Sequence, residues 1–179
     1  MTFLNNKNGC SIHNSFFFAP ELEDVGKWER QLIAESLGKN KKSGISPMVM
    51  IGSTDLHSIA QLLFGGPKDK FTNIITVKKQ SKVTIPEKLV FENLVDNIEN
   101  KPLDSIMKAI SNGTKKSLEK EQLPFVSMEF NGLDEKELGY YLQFKMIEIM
   151  YLAQLMNVNA FDQPAVESYK EETRKLLKK

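Results

Sequence analysis

Short, mainly apolar segments recur along the chain at Pro47–Ile51, Asn73–Val77 and Pro124–Phe130. Segments of this kind are typical of strands that are buried on both faces of a parallel sheet. Longer segments with helical spacing of their apolar residues alternate with them. This order predicts an α/β fold, a three-layer sandwich in which helices flank a mainly parallel sheet and further helices follow at the C-terminus.

Five helices are predicted from apolar spacing and from the residues that begin and end helices. Pro20 suits a first helical turn, and the acidic residues after it suit the positive end of the helix dipole. Asp134 with Glu137 resembles a capping box before a segment that is apolar almost all round, which predicts a buried, central helix. The predicted helices run from Pro20 to about Ser36, from a cap at Ser53 or Thr54 to a stop at Gly65, from Leu103 to Leu118, from about residue 135 to 156, and onward from near Pro164.

Residues 1–14 are polar and rich in asparagine, without apolar periodicity. This pattern predicts a flexible lead-in, so that one domain occupies residues 15–179. The start has neither the basic segment nor the long apolar segment of a secretory signal. The most apolar stretch, Met146–Met156, is shorter than the roughly 20 residues that a membrane span requires.

The charge and cysteine content exclude several classes of function. With 24 basic and 23 acidic residues, the formal net charge is +1, which gives no general attraction to nucleic acid or to an anionic membrane. One cysteine, Cys10, forms no internal disulfide, and with two histidines it leaves no ligand set for structural zinc. We therefore expect a reducing, cytoplasmic setting and a function that depends on a local site.

His57 follows the predicted strand Pro47–Ile51 and lies in the first turn of the predicted helix. Ligands of α/β proteins gather where strands end and helices begin, so His57 is a candidate site residue. A helix N-terminus also disfavours the imidazolium, which would keep the ring neutral and able to move a proton. The alternative is a surface histidine satisfied by Asp55 or by water.

Polar residues of the first and last helices are further candidates. Gln31 and Glu35 lie four residues apart and share one helical face, where the carboxylate is either a base or a solvated side chain at a helix end. Lys170 either reaches a site or extends along the surface with a packed stem. Gln163, directly before Pro164, either contacts a ligand or simply caps the last helix.

Three segments, taken together, resemble the glucose-6-phosphate isomerase (phosphoglucose isomerase) family. AQLMNVNAFDQPAVESYK, residues 153–170, resembles the family's C-terminal FDQ-x-[G/A]-VE-x-x-K signature. ESLGK, residues 35–39, resembles its ES-x-GK segment with a glutamine four residues ahead, and GSTDLHS, residues 52–58, resembles its histidine segment. The order and spacing agree, and the resemblance covers residues 15–179. It implies the family's C-terminal sugar-isomerase domain, with a flavodoxin-like sheet.

The resemblance also implies a reaction and a role for each candidate. Glu35 would move a proton between C2 and C1 as glucose 6-phosphate and fructose 6-phosphate interconvert through a cis-enediol. His57 and Lys170 would assist ring opening, while Gln31 and Gln163 would hold hydroxyl or phosphate oxygens. The reaction implies no metal or redox cofactor, and the base is expected in a dry pocket that raises its basicity.

Two features of the family are not found in the 179 residues. They are the GGR-F-S signature and the Ser/Thr-rich phosphate-binding loop, both of which belong to an N-terminal domain. The chain is therefore expected to be a partial enzyme that is nearly inactive alone. The resemblance also places the histidine in the partner subunit's site, which implies a homodimer.

Two other functions remain open at the level of sequence. The chain is alternatively a regulatory module that binds a sugar phosphate without turnover. In a third interpretation, Asn159–Lys179 only covers a structural dimer interface.

Overall fold

Four parallel strands form the central layer of the described structure, in the order β2-β1-β3-β4. This is a computed structural model, and it describes residues 1–39, 41, 44–78, 83–87 and 97–178. The α/β fold predicted from the sequence is confirmed, since the sheet is all-parallel and helices cover both of its faces. The strands are Ile12–Phe17 (β1), Ser46–Ile51 (β2), Lys70–Val77 (β3) and Phe125–Phe130 (β4).

The described helices lie in chain order around the sheet. They are Thr2–Lys7 (α1), Glu23–Leu37 (α2), Asp55–Ser58 (α3), Ala60–Gly65 (α4), Leu103–Lys120 (α5), Glu135–Met156 (α6) and Glu167–Leu177 (α7). Short 3₁₀ turns, Pro20–Leu22 and Pro164–Val166, precede α2 and α7. One layer contains α2 and α6, which pack on each other and on the side chains of one sheet face. The opposite face packs against α3, α4 and α5.

Helix α2 lies close to the sheet because Gly26 permits the approach. A Cβ atom on Gly26 would lie 2.7 Å from Val49 Cγ1 and 3.0 Å from the ring of Phe17. The helix begins at the carboxyl end of β1 and runs back beside β1 and β2. Its 15 residues span about 22 Å, so its last turn lies at the amino edge of the strands.

The predicted flexible lead-in over residues 1–14 is wrong. Residues 2–7 form α1, and residues 12–14 belong to β1, which pairs with both β2 and β3 and is therefore an inner strand. The sequence concealed this strand because its first half is polar. His13, Asn14 and Ser15 are all buried, and each finds a neighbour inside the fold instead of water.

The helix predicted after β2 is interrupted at Ile59, which separates α3 from α4. Neither Ser53 nor Thr54 caps it by a side-chain hydrogen bond; instead, Asp55 Oδ2 accepts a hydrogen bond from the Ile51 amide at 2.7 Å. The break therefore falls at Ile59, whose backbone angles are φ −121° and ψ −16°, although its amide still donates to the Asp55 carbonyl oxygen at 3.0 Å.

The prediction that α6 is buried all round is also wrong. Its Asp134 cap is confirmed, since Asp134 Oδ1 accepts a hydrogen bond from the Glu137 amide at 2.8 Å. One face packs on α2 and the sheet, but Tyr140 and Tyr151 on the other face remain 62% and 70% exposed. Apolar composition shows that a helix can pack on all sides, not that neighbours are present there.

No helix in the described ranges is long and apolar enough to cross a membrane.

A buried ionic cluster joins β1, α2 and α6. Glu29 of α2 is fully buried, and Lys145 Nζ of α6 lies 3.0 Å from its Oε1 atom. Ser15 donates a hydrogen bond to the same oxygen at 2.9 Å, and the Tyr141 hydroxyl donates to Oε2 at 2.5 Å. His13 Nε2 lies 3.7 Å from Oε1, close enough to interact electrostatically but beyond hydrogen-bonding distance.

These contacts keep Glu29 and Lys145 charged inside the protein. Burial by itself would raise the pKa of Glu29, but the nearby His13 ring and the Lys145 ammonium oppose it. With the hydrogen bond from Tyr141, they lower that pKa to about 2. Burial would lower the pKa of Lys145, yet the carboxylates of Glu29 and Glu148 hold it above its usual value. Burial and the adjacent Glu29 charge both raise the pKa of Tyr141, which therefore stays protonated as a donor.

Replacing Lys145 with methionine is expected to destabilise the fold by about 3–5 kcal/mol, because it leaves the Glu29 carboxylate buried without its counter-ion. Urea denaturation of the purified chain measures this loss. Lys116→Met, an exposed lysine of α5, is the matched control and should change the free energy of unfolding by no more than about 0.5 kcal/mol. Equal stability of the two variants would show that the pair contributes nothing.

Acid is expected to remove the contribution of Glu29 to stability. Its pKa is about 2 in the folded chain against an ordinary value of 4.5, so the contribution is complete above pH 4.5 and is lost as pH falls toward 2. The difference corresponds to about 3 kcal/mol. Denaturation at a series of pH values measures it, and the double variant Glu29→Gln/Lys145→Met should show a shallower acid dependence. An unchanged dependence in the double variant would mean that other carboxylates account for it.

Candidate active site

The C-terminal end of α2 meets the segment that follows α6. Gln163 Nε2 donates a hydrogen bond to Glu35 Oε2 at 2.8 Å, across 128 positions of sequence. Gln31 Nε2, one helical turn before Glu35, donates to the other carboxylate oxygen at 3.0 Å. Three of the five residues singled out from the sequence therefore form one hydrogen-bonded group.

A second link, which the sequence interpretation missed, fixes the same segment. Lys39 lies just after α2, and its ammonium donates a hydrogen bond to the Asp162 carbonyl oxygen and lies 3.3 Å from Asp162 Oδ1. Asn159 Nδ2 donates to Asp162 Oδ2 at 2.9 Å, while Asn159 Oδ1 accepts from the Phe161 amide at 3.0 Å. The signal was present in the motifs, because Lys39 ends ESLGK and Asp162 lies in FDQ.

Gln163 is not a capping residue. It occupies the N-cap position of the 3₁₀ turn Pro164–Val166, but its side chain makes no capping hydrogen bond and its amide group bonds to Glu35 instead. The capping interpretation, left open by the sequence, is therefore wrong. The FDQ turn brings an amide donor to a carboxylate that is distant in sequence.

A shallow cleft of about 200 Å³ lies between α2 and this segment. It is lined by Ala34, Glu35, Gly38, Lys39, Gln163, Ala165 and Val166. Glu35 and Gln163 are both exposed. The dry pocket expected around the base is therefore absent from the described part of the chain, and this expectation is corrected.

Gly38 is required at the end of α2, since a Cβ atom there would lie 2.7 Å from the Ala34 carbonyl oxygen.

Lys170 lies one helical turn beyond the cleft, in the first half of α7. Its ammonium pairs with Glu167 at 2.8 Å, and this contact raises the pKa of Lys170. Among the described residues, it forms no ion pair with Glu35. The Lys170 side chain is 39% exposed and thus partly covered, although α7 contains no buried residue and its Leu177 is 82% exposed.

His57 lies at the other end of the sheet from Glu35. It belongs to α3, which follows β2 at the carboxyl edge of the strands, and its side chain is exposed. Glu35 lies in the last turn of α2, at the amino edge. Helix α2 separates the two edges by about 22 Å, so one copy of the chain does not bring these side chains together. The four-residue α3 also lacks the long helix dipole that the sequence argument assumed.

Metal ligands were not predicted. Within the ranges that the structure describes, no three His, Cys, Asp or Glu side chains are grouped as a metal site. The hydrogen bonds at Glu35 come from amide groups, which suits orientation of a carboxylate.

Comparison with known proteins supports the resemblance of the three motifs. The chain is 34% identical over 176 residues to the glucose-6-phosphate isomerase of Methanocaldococcus jannaschii, covering 98% of this chain and 43% of that protein. It is 31% identical over 179 residues to the enzyme of the same name from Mycoplasmopsis synoviae, covering 99% and 41%, respectively. No profile of a known protein family matches the chain.

Two solved structures share the fold. A hypothetical protein from Thermus thermophilus, 29% identical, superposes with a TM-score of 0.88 over 98% of this chain and 44% of its own. A glucose-6-phosphate isomerase from Chlamydia trachomatis superposes with a TM-score of 0.75 over 94% of this chain and 35% of its own, at 16% identity.

The chain thus resembles glucose-6-phosphate isomerases over nearly its whole length, as the sequence motifs predicted. It spans about two fifths of the curated relatives that it matches, 43% and 41% in the two named above.

Proposed function

We propose that the chain supplies the base-bearing part of a glucose-6-phosphate isomerase, an enzyme that interconverts glucose 6-phosphate and fructose 6-phosphate. The observation that carries the proposal is the 2.8 Å hydrogen bond between Gln163 and Glu35, which joins two of the motifs in space. Similarity to enzymes of this name over 98% of the chain supports it. Such an enzyme acts in the cytoplasm in glycolysis and gluconeogenesis.

In this proposal, Glu35 is the general base and then the general acid. Its carboxylate removes the proton from C2 of the open-chain aldose, which leaves an enediolate with its negative charge on O1. A proton passes from O2 to O1 by way of the cis-enediol, and Glu35 then returns its own proton to C1 to form the ketose. Gln31 and Gln163 each donate to a different oxygen of Glu35, so its carboxylate plane is fixed before substrate binds. Bound substrate would accept those amide donors through hydroxyl or phosphate oxygens.

Ring opening needs one proton at the ring oxygen and the loss of one from the anomeric hydroxyl. Lys170 lies within one helical turn of the cleft, and exchange of its exposed partner Glu167 for substrate frees its ammonium for this step. His57 lies at the opposite edge of the sheet, so we assign its role to a second copy of the chain. The proposed enzyme is therefore a homodimer in which each site uses residues of both subunits.

The exposure of Glu35 shows what else the chemistry needs. Proton transfer from carbon requires stabilisation of the enediolate charge, which is strong only where water is excluded. We propose that polypeptide equivalent to the remainder of the longer relatives covers the cleft and supplies this stabilisation. The proposed alternative, a module that binds a sugar phosphate without turnover, uses the same amide donors but no base.

Glu35→Gln is expected to lower kcat by about 10²–10⁴-fold in the complete protein of which this chain forms part, because the amide cannot accept the proton. A coupled assay with fructose 6-phosphate measures kcat and KM. KM should change little, since Gln is nearly isosteric with Glu. Glu119→Gln, an exposed glutamate of α5 outside the cleft, is the matched control. Unchanged turnover with intact sugar-phosphate binding would show that this chain supplies no base to the complete protein, and would favour a role as a binding module.

The 179-residue chain alone is expected to show almost no isomerase activity, and activity should appear on addition of the N-terminal domain. The physical reason is that the cleft beside Glu35 is open to water in the isolated chain. The same coupled assay, with and without that domain, measures the difference. Full activity from the chain alone would contradict the proposed division of the site.

A further inference from the structure

A second, larger cleft of about 510 Å³ lies at the carboxyl edge of the sheet. Its floor is formed by Phe18, directly after β1, by the end of β3 at Thr76–Lys78, and by Glu129 of β4. One wall is the inner face of α5. None of its lining residues belongs to α2, α3 or the segment 159–170, so it is separate from the site proposed above.

The position of this cleft favours ligand binding. In open parallel sheets, ligands bind outside the carboxyl ends of the strands, at the point where the strand order reverses. Here the reversal occurs at β1 and β3, since the chain places β2 on one side of β1 and β3 on the other. The volume also falls within the range of about 300–1,000 Å³ that is usual for small-molecule sites.

The wall formed by α5 carries hydrogen-bond donors at helical spacing. Lys108, Ser111, Asn112 and Lys115 line the cleft, and positions three, four and seven apart share one helical face. Ser111 is only 3% exposed, and its hydroxyl already donates to the Lys108 carbonyl oxygen at 3.0 Å, so the donors available to a ligand on this wall are Lys108, Asn112 and Lys115.

Within the ranges that the structure describes, the two lysines of this wall have no counter-ion. Among the described residues, Lys108 and Lys115 form no ion pair, although both face the cleft. Lys78, on the floor of the cleft, already has partners, because it donates to Asn131 Oδ1 at 2.7 Å and lies 4.0 Å from Glu129. Two unpaired ammonium groups beside one concave surface attract an anion, whereas the net charge of +1 gives no wider field for a nucleic acid.

We propose that this cleft binds a small phosphorylated molecule, whose phosphate group is held between Lys108 and Lys115. The two residues are two helical turns apart, about 10 Å along the axis, so their long side chains can converge over Ser111 and Asn112. Lysine binds phosphate as a point charge with three donors. Asp104 and Glu129, which also line the cleft, are placed to accept hydrogen bonds from hydroxyl groups of the same ligand.

Titration of the ¹⁵N-labelled 179-residue chain with inorganic phosphate at constant ionic strength tests this proposal. We expect saturable shifts of backbone amide signals in α5 and at the end of β3. Lys108→Gln and Lys115→Gln should each weaken phosphate binding about tenfold, as expected for loss of one hydrogen bond to a charged group. Lys116→Gln, the adjacent lysine outside the cleft, should bind phosphate like the unmodified chain.

The phosphate titration of the unmodified chain is the first test of the site, and the variants test which lysines bind phosphate. Shifts that do not saturate, or that map to Gln31 and Gln163 instead of α5, would overturn the proposal. An equal loss of affinity in Lys116→Gln would show that phosphate responds only to general charge, which would also overturn it. Lys108→Arg keeps the charge and should restore most of the affinity lost in Lys108→Gln. Because the readout is phosphate binding at α5, it is independent of isomerase activity.

Discussion

The buried pair of Glu29 and Lys145 is the interaction on which the arrangement of the candidate site depends. It connects the inner strand β1, helix α2 and helix α6 through one carboxylate. Such a pair tolerates little rotation of either helix, because each lost contact leaves a charge in the interior. Side chains advance about 100° per residue around a helix, so Glu29 pointing inward places Gln31 and Glu35 about 200° and 240° away, on the outer side. The same constraint that anchors α2 therefore presents the candidate base to the exterior.

Because Glu35 lies on the outer side of α2, the FDQ segment, residues 161–163, can contact it. Two independent links join this segment to the end of α2, one from Gln163 to Glu35 and one from Lys39 to Asp162. The first joins two exposed side chains by a hydrogen bond, and the second is an ion pair between a side chain that is 8% exposed and one that is 52% exposed. Their combined effect is to order the approach to α7, the helix that carries Lys170. The open side of this arrangement is where we propose that further polypeptide excludes water.

Sequence patterns predicted the elements whose burial is apolar and failed where burial is polar. Strands β2, β3 and β4 were found because their residues are mainly apolar, whereas β1 was missed because His13, Asn14 and Ser15 are polar and buried. Glu29 gave no signal, since one glutamate in an amphipathic helix resembles any solvated residue until Lys145 is seen beside it. The site followed a similar rule. From residue chemistry alone, Glu35 was either a base or a solvated side chain, and Gln163 was either a ligand contact or a helix cap. Only the resemblance of whole motifs to one family placed both in the same site.

The positions of Glu35 and His57 restrict how any shared site can be assembled. Glu35 lies at the amino edge of the sheet and His57 at the carboxyl edge, so a second copy must place its α3 against the end of α2. A two-fold axis satisfies this requirement twice, because each copy then offers its histidine to the other and the assembly closes. A head-to-tail arrangement would satisfy it at every copy only in a closed ring of three or more copies. The proposed homodimer is therefore the smallest assembly in which every Glu35 has a histidine partner.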